Sequence, residues 1–274
     1  MKKNRKLIAI DLDGTTLNNQ SILTPETEKT LKKLTNEGHI VAIATGRPYR
    51  TSYQYYNQLK LETPIVNFNG AWAHHPQNEN WAYGYHKFLE KDVALSFLPL
   101  KDLSVVRLLS AESKDHLYVD RFGEETYSNG PSIENFKPKV FTAECLSENP
   151  TAVNVFSYYE KNLAYIQEQI LDDFNDTIEI RTWGGLSPAL EIVSKGIQKA
   201  MGIEAIAQSY DISSTDVIAF GDEANDYEMI QYAGHGVVMK NGVDSLKEVS
   251  DAITPFTNDE DGLAEYLKKY FDMI

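Results

Sequence analysis

The sequence predicts an α/β fold in which a parallel-sheet core is interrupted by a second, α+β domain. Near both ends of the chain, short apolar runs alternate with helix-like stretches, which is typical of a parallel sheet with helices on its faces. In the middle, alternating strand-like runs flank one amphipathic stretch, which indicates an antiparallel sheet with a helix. We therefore expect one core domain that an insert divides in sequence.

The first part of the chain, residues 1–81, has the rhythm strand, helix, strand, helix, strand. Its strand-like runs are Leu7–Ile10, Ile40–Ala44 and Pro64–Phe68. Between the first two runs, Thr24-Pro25-Glu26 predicts the start of a helix, because Thr is a good N-cap and Pro is favoured at the first helical position. Gly38 is placed to end that helix.

The predicted insert covers residues 82–189, and the core resumes over residues 190–274. The strand-like runs of the insert are Val105–Leu109, His116–Val119, Val153–Tyr158 and Thr177–Thr182, with the amphipathic stretch Leu163–Phe174 before the last. In the resumed core, the helix-like stretch Ile197–Ser209 precedes the apolar run Val217–Phe220, and Leu263–Phe271 is helix-like. The return of the strand-helix rhythm indicates that these segments complete the first sheet.

Composition and charge exclude several classes of function. An apolar fraction of 42% indicates a chain that folds around a core, and the formal charge of -14 disfavours nucleic-acid and anionic-membrane partners, which basic residues bind. No stretch approaches the roughly 20 apolar residues of a membrane-spanning helix. We therefore expect a cytoplasmic protein. Its single cysteine, Cys145, cannot form an intrachain disulfide.

Polar residues follow three of the apolar runs in the predicted core. These segments are Asp11–Thr16, Thr45-Gly46 and Gly221–Asp226. An Asp after a strand is more often a turn former or a helix cap than a site residue, so each segment alone is a weak signal. Ligands of parallel sheets bind beyond the carboxyl ends of the strands. If the three strands are neighbours, the three segments meet in one site.

These segments resemble the signature motifs of the haloacid dehalogenase superfamily, most closely those of its Cof-type phosphatases of subfamily IIB. The resemblance rests on Asp11–Leu17 (DLDGTTL), Ala44–Arg47 (ATGR) and Phe220–Asp226 (FGDEAND), with the insert placed where that subfamily has its cap domain. It implies a Rossmann-like core with an inserted α+β cap. It also implies a phosphatase that hydrolyses a small phosphorylated metabolite, such as a sugar phosphate or a phosphorylated cofactor.

The resemblance implies a magnesium-dependent mechanism with an aspartyl-phosphate on Asp11. Asp11 would be the nucleophile, and Asp13 would protonate the leaving oxygen and then activate water. Asp11, the backbone carbonyl of Asp13 and Asp222 would hold Mg²⁺, which prefers oxygen ligands. Asp226 would support the site by orienting the metal shell or the catalytic lysine.

The remaining implied residues bind phosphate. Thr45 and the Gly46 amide would donate hydrogen bonds to phosphoryl oxygens, and Asn225 would contact phosphate or a water on the metal. By register, Lys199 is the lysine that neutralises the phosphate charge, and Lys195 is subsidiary. For Arg47 and Arg50, ion pairs at the surface are favoured over contacts to an anionic substrate.

Two positions depart from the family pattern. Glycine usually follows the catalytic lysine, whereas this chain has Ala200, and glycine is common where this chain has Glu223. Neither departure removes a catalytic group. The sequence does not predict what either does to the site.

Three alternatives to the phosphatase interpretation differ from it in their chemistry. A phosphosugar mutase would use the same aspartyl-phosphate, and release of inorganic phosphate would separate the two. A non-catalytic module that binds metal or phosphate would need neither Asp13 nor a large insert, and a dehalogenase would gain nothing from an acid at Asp13. The sequence determines neither the substrate, nor the residues of the insert that select it, nor the oligomeric state.

Overall fold

The computed structural model describes residues 5–122, 137–174, 176–183 and 188–273. The strands are β1 Leu7–Ile10, β2 Ile40–Ile43, β3 Ile65–Asn67, β4 Trp72–His74, β5 Tyr85–His86, β6 Val106–Glu112, β7 Leu117–Val119, β8 Lys139–Val140, β9 Ala152–Ser157, β10 Ile178–Trp183, β11 Ala189–Ser194, β12 Val217–Gly221, β13 His235–Val238 and β14 Ala252–Ile253. The α-helices are α1 Pro25–Asn36, α2 Tyr49–Gln58, α3 Lys91–Ser96, α4 Leu163–Phe174, α5 Lys199–Ser209, α6 Tyr227–Tyr232, α7 Asp244–Lys247 and α8 Gly262–Tyr270.

The chain divides into two compact units. One consists of Met1–Arg47, Ser52–Tyr85 and Gln198–Ile274, and the other of Pro48–Thr51 and His86–Ile197. We call them the core unit and the inserted unit. In the described part of the chain, no helix is both long and apolar enough to cross a membrane.

The core unit is built on a five-stranded parallel sheet with the strand order β14-β13-β12-β1-β2. Strands β1 and β2 are apolar and buried at every position, as expected for strands that are covered on both faces. An isolated parallel bridge between Ala44 and Val66 continues this pairing towards β3. The predicted parallel-sheet core is confirmed.

Register brings the three polar segments to one edge of this sheet. In the central strand β1, Ile10 is paired with Phe220 of β12 on one side and with Ile43 of β2 on the other. The residues that follow these three positions therefore leave the sheet side by side. The sequence motifs meet because their strands are neighbours in space, although up to about 200 residues separate them along the chain.

Helix α1 shows how local sequence sets an element of the core unit. Thr24 has extended backbone, and its hydroxyl accepts a hydrogen bond from the Thr27 amide at 3.2 Å, while Pro25 is the first helical residue. The helix ends at Asn36, two residues before Gly38. Both the start and the end predicted for this helix are therefore confirmed.

The inserted unit contains a six-stranded sheet with the order β10-β11-β9-β6-β7-β8. All neighbours in it are antiparallel except β7 and β8, and α4 packs with the sheet through a core that includes Ile166, Ile170 and Val155. This architecture confirms the predicted α+β class of the insert.

Strand β11 was predicted to belong to the resumed core, which was expected to begin at residue 190. It pairs with β9 and β10 and so belongs to the sheet of the inserted unit. The exact domain limits remain a prediction.

Candidate active site

The loop after β1 holds Asp11 and Asp13 at the edge of the core sheet. The Asp11 amide donates to the Phe220 carbonyl at 3.1 Å, which continues the sheet pairing, and the Asp11 residue is 5% exposed. A short helical turn, Leu12–Thr16, follows, and Gly14 within it has a φ of +72°. A Cβ on Gly14 would lie 2.1 Å from Asp222 Oδ2, so only glycine fits both this backbone and this contact.

Lys199 connects two of the predicted site carboxylates. Its Nζ lies 2.7 Å from Asp11 Oδ1 and 2.7 Å from Asp226 Oδ1, and its side chain is 1% exposed. Lys199 is the first residue of α5, which places its side chain at the same edge of the sheet. The other lysine considered in this stretch, Lys195, is exposed and pairs with Asp176 in the inserted unit.

Asp226 is fully buried and uses both of its oxygens. While Oδ1 accepts from Lys199, Oδ2 accepts from the amides of Asp222 and Glu223 at 3.0 and 3.2 Å. This carboxylate therefore fixes the turn that carries Asp222 and orients the lysine at the same time. Asp222 is further held by Thr15, whose hydroxyl donates to Asp222 Oδ1 at 2.8 Å.

The site is rich in buried carboxyl groups. Oxygen atoms of Asp11, Asp222 and Asp226 all lie within 4.8 Å of one another. Burial, followed by the neighbouring carboxylates, raises the pKa of Asp222 to about 8, and burial raises the pKa of Asp11 to about 7 although Lys199 opposes the shift. Burial alone would lower the pKa of Lys199, but the charges of Asp11 and Asp226 raise it overall.

A divalent cation fits this group of residues. With all three carboxylates ionised and Lys199 protonated, the cluster carries two excess negative charges, which one divalent ion would neutralise. Its donors are carboxylate oxygens, the type that Mg²⁺ prefers. Because both oxygens of Asp226 already accept hydrogen bonds, Asp11 and Asp222 are the side chains best placed to bind the ion directly.

Besides Lys199, the predicted phosphate-binding residues follow the two strands beside β1. Thr45 follows β2 and is completely buried; its amide donates to the Val66 carbonyl at 2.9 Å, and its hydroxyl oxygen accepts from the Arg47 amide at 3.1 Å. A hydroxyl that accepts one hydrogen bond can still donate its own proton to a ligand. Asn225, in the turn after β12, donates from Nδ2 to Asn69 Oδ1 at 2.9 Å. Gly46 lies against the same Asn69 amide.

Asp13 stands apart from the buried cluster. Its side chain is 55% exposed, and both carboxylate oxygens accept hydrogen bonds from Arg47. Arg47 therefore forms an ion pair. Arg50 pairs with Glu112 in the inserted unit, but the Glu112 side chain is only 8% exposed, so this pair does not lie at the surface as predicted. That Asp13 is the carboxylate bound by Arg47 was not predicted from the sequence. Arg47 directly follows Thr45-Gly46 in the sequence, and this position could have indicated a contact with Asp13 in the neighbouring motif.

Neither of the two positions that depart from the family pattern is fully buried. Ala200 is half-buried in the first turn of α5, next to Lys199, and the Glu223 residue is exposed. The residue Glu223 is exposed, but its backbone amide donates to Asp226, so the backbone of Glu223 is part of the site.

Asn69 is a site residue that was not predicted from the sequence. Asn69 comes shortly after β3, just as the other motifs come after their strands, and this position could have identified it as a site residue.

Comparison with known proteins adds three findings. A sequence profile of the family described as haloacid dehalogenase-like hydrolase matches residues 8–267. The 5-amino-6-(5-phospho-D-ribitylamino)uracil phosphatase YitU of Bacillus subtilis (strain 168) is 37% identical over 281 aligned positions that cover 100% of both chains. A haloacid dehalogenase-like hydrolase from Bacteroides thetaiotaomicron has the same fold, with a TM-score of 0.80 and 23% identity over 97% of this chain and 100% of that one.

The profile match extends over nearly the whole chain, and the Bacillus relative aligns from end to end. The chain therefore belongs to the haloacid dehalogenase-like hydrolase family and is one of its phosphatases.

Proposed function

We propose that this phosphatase uses Mg²⁺, forms an aspartyl-phosphate on Asp11, and hydrolyses 5-amino-6-(5-phospho-D-ribitylamino)uracil. The observation that carries the mechanism is the position of the Asp11 carboxylate, buried between Lys199 and the Asp222 carboxylate at the end of β1. The substrate is proposed from the end-to-end match to the Bacillus phosphatase named for it. A second Bacillus phosphatase of the same name is 27% identical over 97% of this chain.

The reaction has two steps. In the first, an Asp11 carboxylate oxygen attacks phosphorus, the bond from phosphorus to the ribityl oxygen breaks, and Asp13 transfers a proton to that oxygen. In the second, Asp13 accepts a proton from water, the water oxygen attacks phosphorus, and the bond to Asp11 breaks. The products are the dephosphorylated polyol and inorganic phosphate, and both carboxyl groups return to their starting states.

The surrounding residues stabilise charge on the phosphoryl group. Lys199, held by Asp226, supplies a cation beside the nucleophile, and Thr45 and the Gly46 amide donate hydrogen bonds to phosphoryl oxygens. Bound to Asp11, Asp222 and the carbonyl of Asp13, Mg²⁺ would reduce the repulsion between the nucleophile and the phosphate. Positioning these groups before the substrate arrives favours the transition state over the bound substrate.

Substrate identity is tested by measuring inorganic phosphate release from a panel of phosphorylated metabolites with Mg²⁺ present. The panel contains the proposed ribitylaminouracil phosphate, flavin mononucleotide, pyridoxal phosphate and two hexose phosphates. We expect kcat/KM to be highest for the ribitylaminouracil compound, by at least tenfold. A hexose phosphate that exceeds it would show that the proposed substrate is wrong while leaving the mechanism intact.

The nucleophile and the metal are tested separately from the substrate, with para-nitrophenyl phosphate. Asp11→Asn should abolish turnover, whereas Asp216→Asn, which changes an acid near the surface that pairs with Lys6, should leave it unchanged. Removal of metal by a chelator should also abolish turnover, and MgCl₂ should restore it better than CaCl₂. Full activity of the Asp11→Asn variant, or of the metal-free enzyme, would contradict the proposed mechanism.

A further inference from the structure

A turn directly after β3 has an unusual backbone. Phe68, Asn69 and Gly70 are consecutive residues with φ values of +51°, +55° and +102°. Residues other than glycine rarely adopt this left-handed backbone conformation, although Asn does so more readily than most. Such conformations persist only where the surroundings impose them, and they are concentrated at functional sites.

The turn is fixed by segments that carry proposed phosphate-binding groups. The Asn69 amide donates to the Thr45 carbonyl at 3.1 Å, and the Phe68 amide donates to the Arg47 carbonyl at 3.3 Å. A Cβ on Gly70 would lie 2.0 Å from the Gln198 carbonyl oxygen, so the turn also packs on the backbone that leads into Lys199. This turn therefore contacts both the segment that carries the Thr45 hydroxyl and the segment that leads into the Lys199 cation.

The Asn69 side chain reaches the remaining phosphate-binding group. Asn69 is 3% exposed, and its Oδ1 accepts a hydrogen bond from Asn225 Nδ2 at 2.9 Å. Its side-chain amide also packs against Gly46, because a Cβ added to Gly46 would lie 3.0 Å from Asn69 Oδ1. Because Asn69 offers its oxygen, Asn225 must direct its nitrogen towards it. The orientation of the Asn225 amide is thereby fixed.

The fixed amide leaves one buried acceptor for a ligand. Asn225 Oδ1 is buried and accepts no hydrogen bond from any residue that the structure describes. A buried acceptor without a donor is costly, so a site that retains one is prepared for a donor that arrives with a ligand, such as a bound water. The Asn69 contact keeps this oxygen available, because the opposite orientation of the Asn225 amide would put two oxygens together.

We infer that Asn69 is a positioning residue for phosphate binding, which acts by orienting the Asn225 amide. This inference rests on the proposed function, because it takes Asn225 as a group that contacts phosphate or a water on the metal. Asn69 itself need not touch the substrate. Its effect should therefore depend on the presence of the Asn225 side chain.

A double-mutant cycle with Asn69→Gly and Asn225→Ala tests this dependence. Glycine keeps the left-handed backbone, so Asn69→Gly removes the amide with little added strain. Two readouts are compared in all four proteins: kcat/KM for para-nitrophenyl phosphate with Mg²⁺, and the orthovanadate concentration that gives half of the maximal thermal shift, which requires no turnover. Lys60→Gly is the matched control, because Lys60 is an exposed residue with a φ of +53°.

We expect Asn69→Gly to lower kcat/KM and to weaken orthovanadate binding, each about tenfold, in the otherwise natural chain. In the Asn225→Ala background the same change should have less than a twofold effect. Lys60→Gly should leave both readouts unchanged. Readouts of Asn69→Gly within twofold of the natural chain, or equal losses in both backgrounds, would overturn the inference. Activity that survives in Asp11→Asn would instead overturn the proposed nucleophile, and the vanadate cycle would still decide the role of Asn69.

Discussion

Arg47 binds both carboxylate oxygens of Asp13, with Nε 2.7 Å from Oδ2 and the second guanidinium nitrogen 2.5 Å from Oδ1. This two-point contact fixes the plane of a side chain that is otherwise half exposed. A carboxyl group that transfers protons to and from oxygen must be held in a defined direction. Arg47 is therefore well placed to orient the proposed general acid.

Replacing Arg47 with Met should slow turnover most for substrates with poor leaving groups. An alkyl phosphate needs proton transfer from Asp13, so we expect kcat to fall about tenfold for it and less than threefold for para-nitrophenyl phosphate. Lys32→Met, which breaks a surface pair with Glu28, is the control and should leave both rates unchanged. Equal losses for the two substrates would argue against a role through Asp13.

Replacing Lys199 with Met should remove both activity and stability. The change leaves the buried carboxylates of Asp11 and Asp226 without their cation, so we expect kcat to fall at least 100-fold. The free energy of unfolding should fall by about 3 kcal/mol, measured by denaturant titration. Lys195→Met is the matched control, because Lys195 lies four residues earlier and is exposed. Activity lost in the Lys195 variant and kept in the Lys199 variant would reverse the assignment of the two lysines.

Stabilisation by Mg²⁺ should increase with pH. Without metal, the raised pKa values of Asp11, about 7, and Asp222, about 8, mean that the folded state favours the protonated carboxyls. Their contribution to stability is then fully present below the ordinary carboxyl pKa near 4 and is lost as the pH rises through 7 and 8. Because Mg²⁺ binds the ionised forms, its addition should raise Tm more at pH 8.5 than at pH 6.0.

The control for this pH dependence is Asp222→Asn. This variant removes one ionisable ligand, so the Mg²⁺-induced rise in Tm should become small at both pH values. The measurement is thermal unfolding with MgCl₂ and with a chelator. An equal rise at pH 6.0 and pH 8.5 in the natural chain would show that these carboxylates do not bind the ion.

Replacing Gly14 with Ala should damage the site through Asp222. The new methyl group would overlap Asp222 Oδ2, so we expect loss of Mg²⁺-induced stabilisation and a fall of at least tenfold in kcat/KM. Gly38→Ala provides a close comparison, because Gly38 has a φ of +95° but no neighbouring atom within 4 Å of an added Cβ. It should cost about 1 kcal/mol of stability from backbone strain and leave kcat unchanged. Similar kinetic losses in both variants would mean that strain, and not contact with Asp222, is responsible.

The sequence by itself determined the elements and the nature of the chemistry. Apolar runs and helix-capping residues are local patterns, so the strands of the core and the cap of α1 follow from neighbouring residues. The same holds for the Asp11–Leu17 motif, whose acids and glycine lie on one short turn. The polar segments that follow three apolar runs were together enough to predict that these residues meet at one edge of the sheet.

The tertiary structure alone decided how these residues are used. Lys199 and Asp11 are 188 residues apart, and Asn225 and Asn69 are 156 apart, so no local pattern records their contacts. The same holds for β11, which joined the sheet of the inserted unit because its partners β9 and β10 are there. Burial and long-range pairing set the charge state and the orientation of each site residue, and both arise only when distant segments pack together.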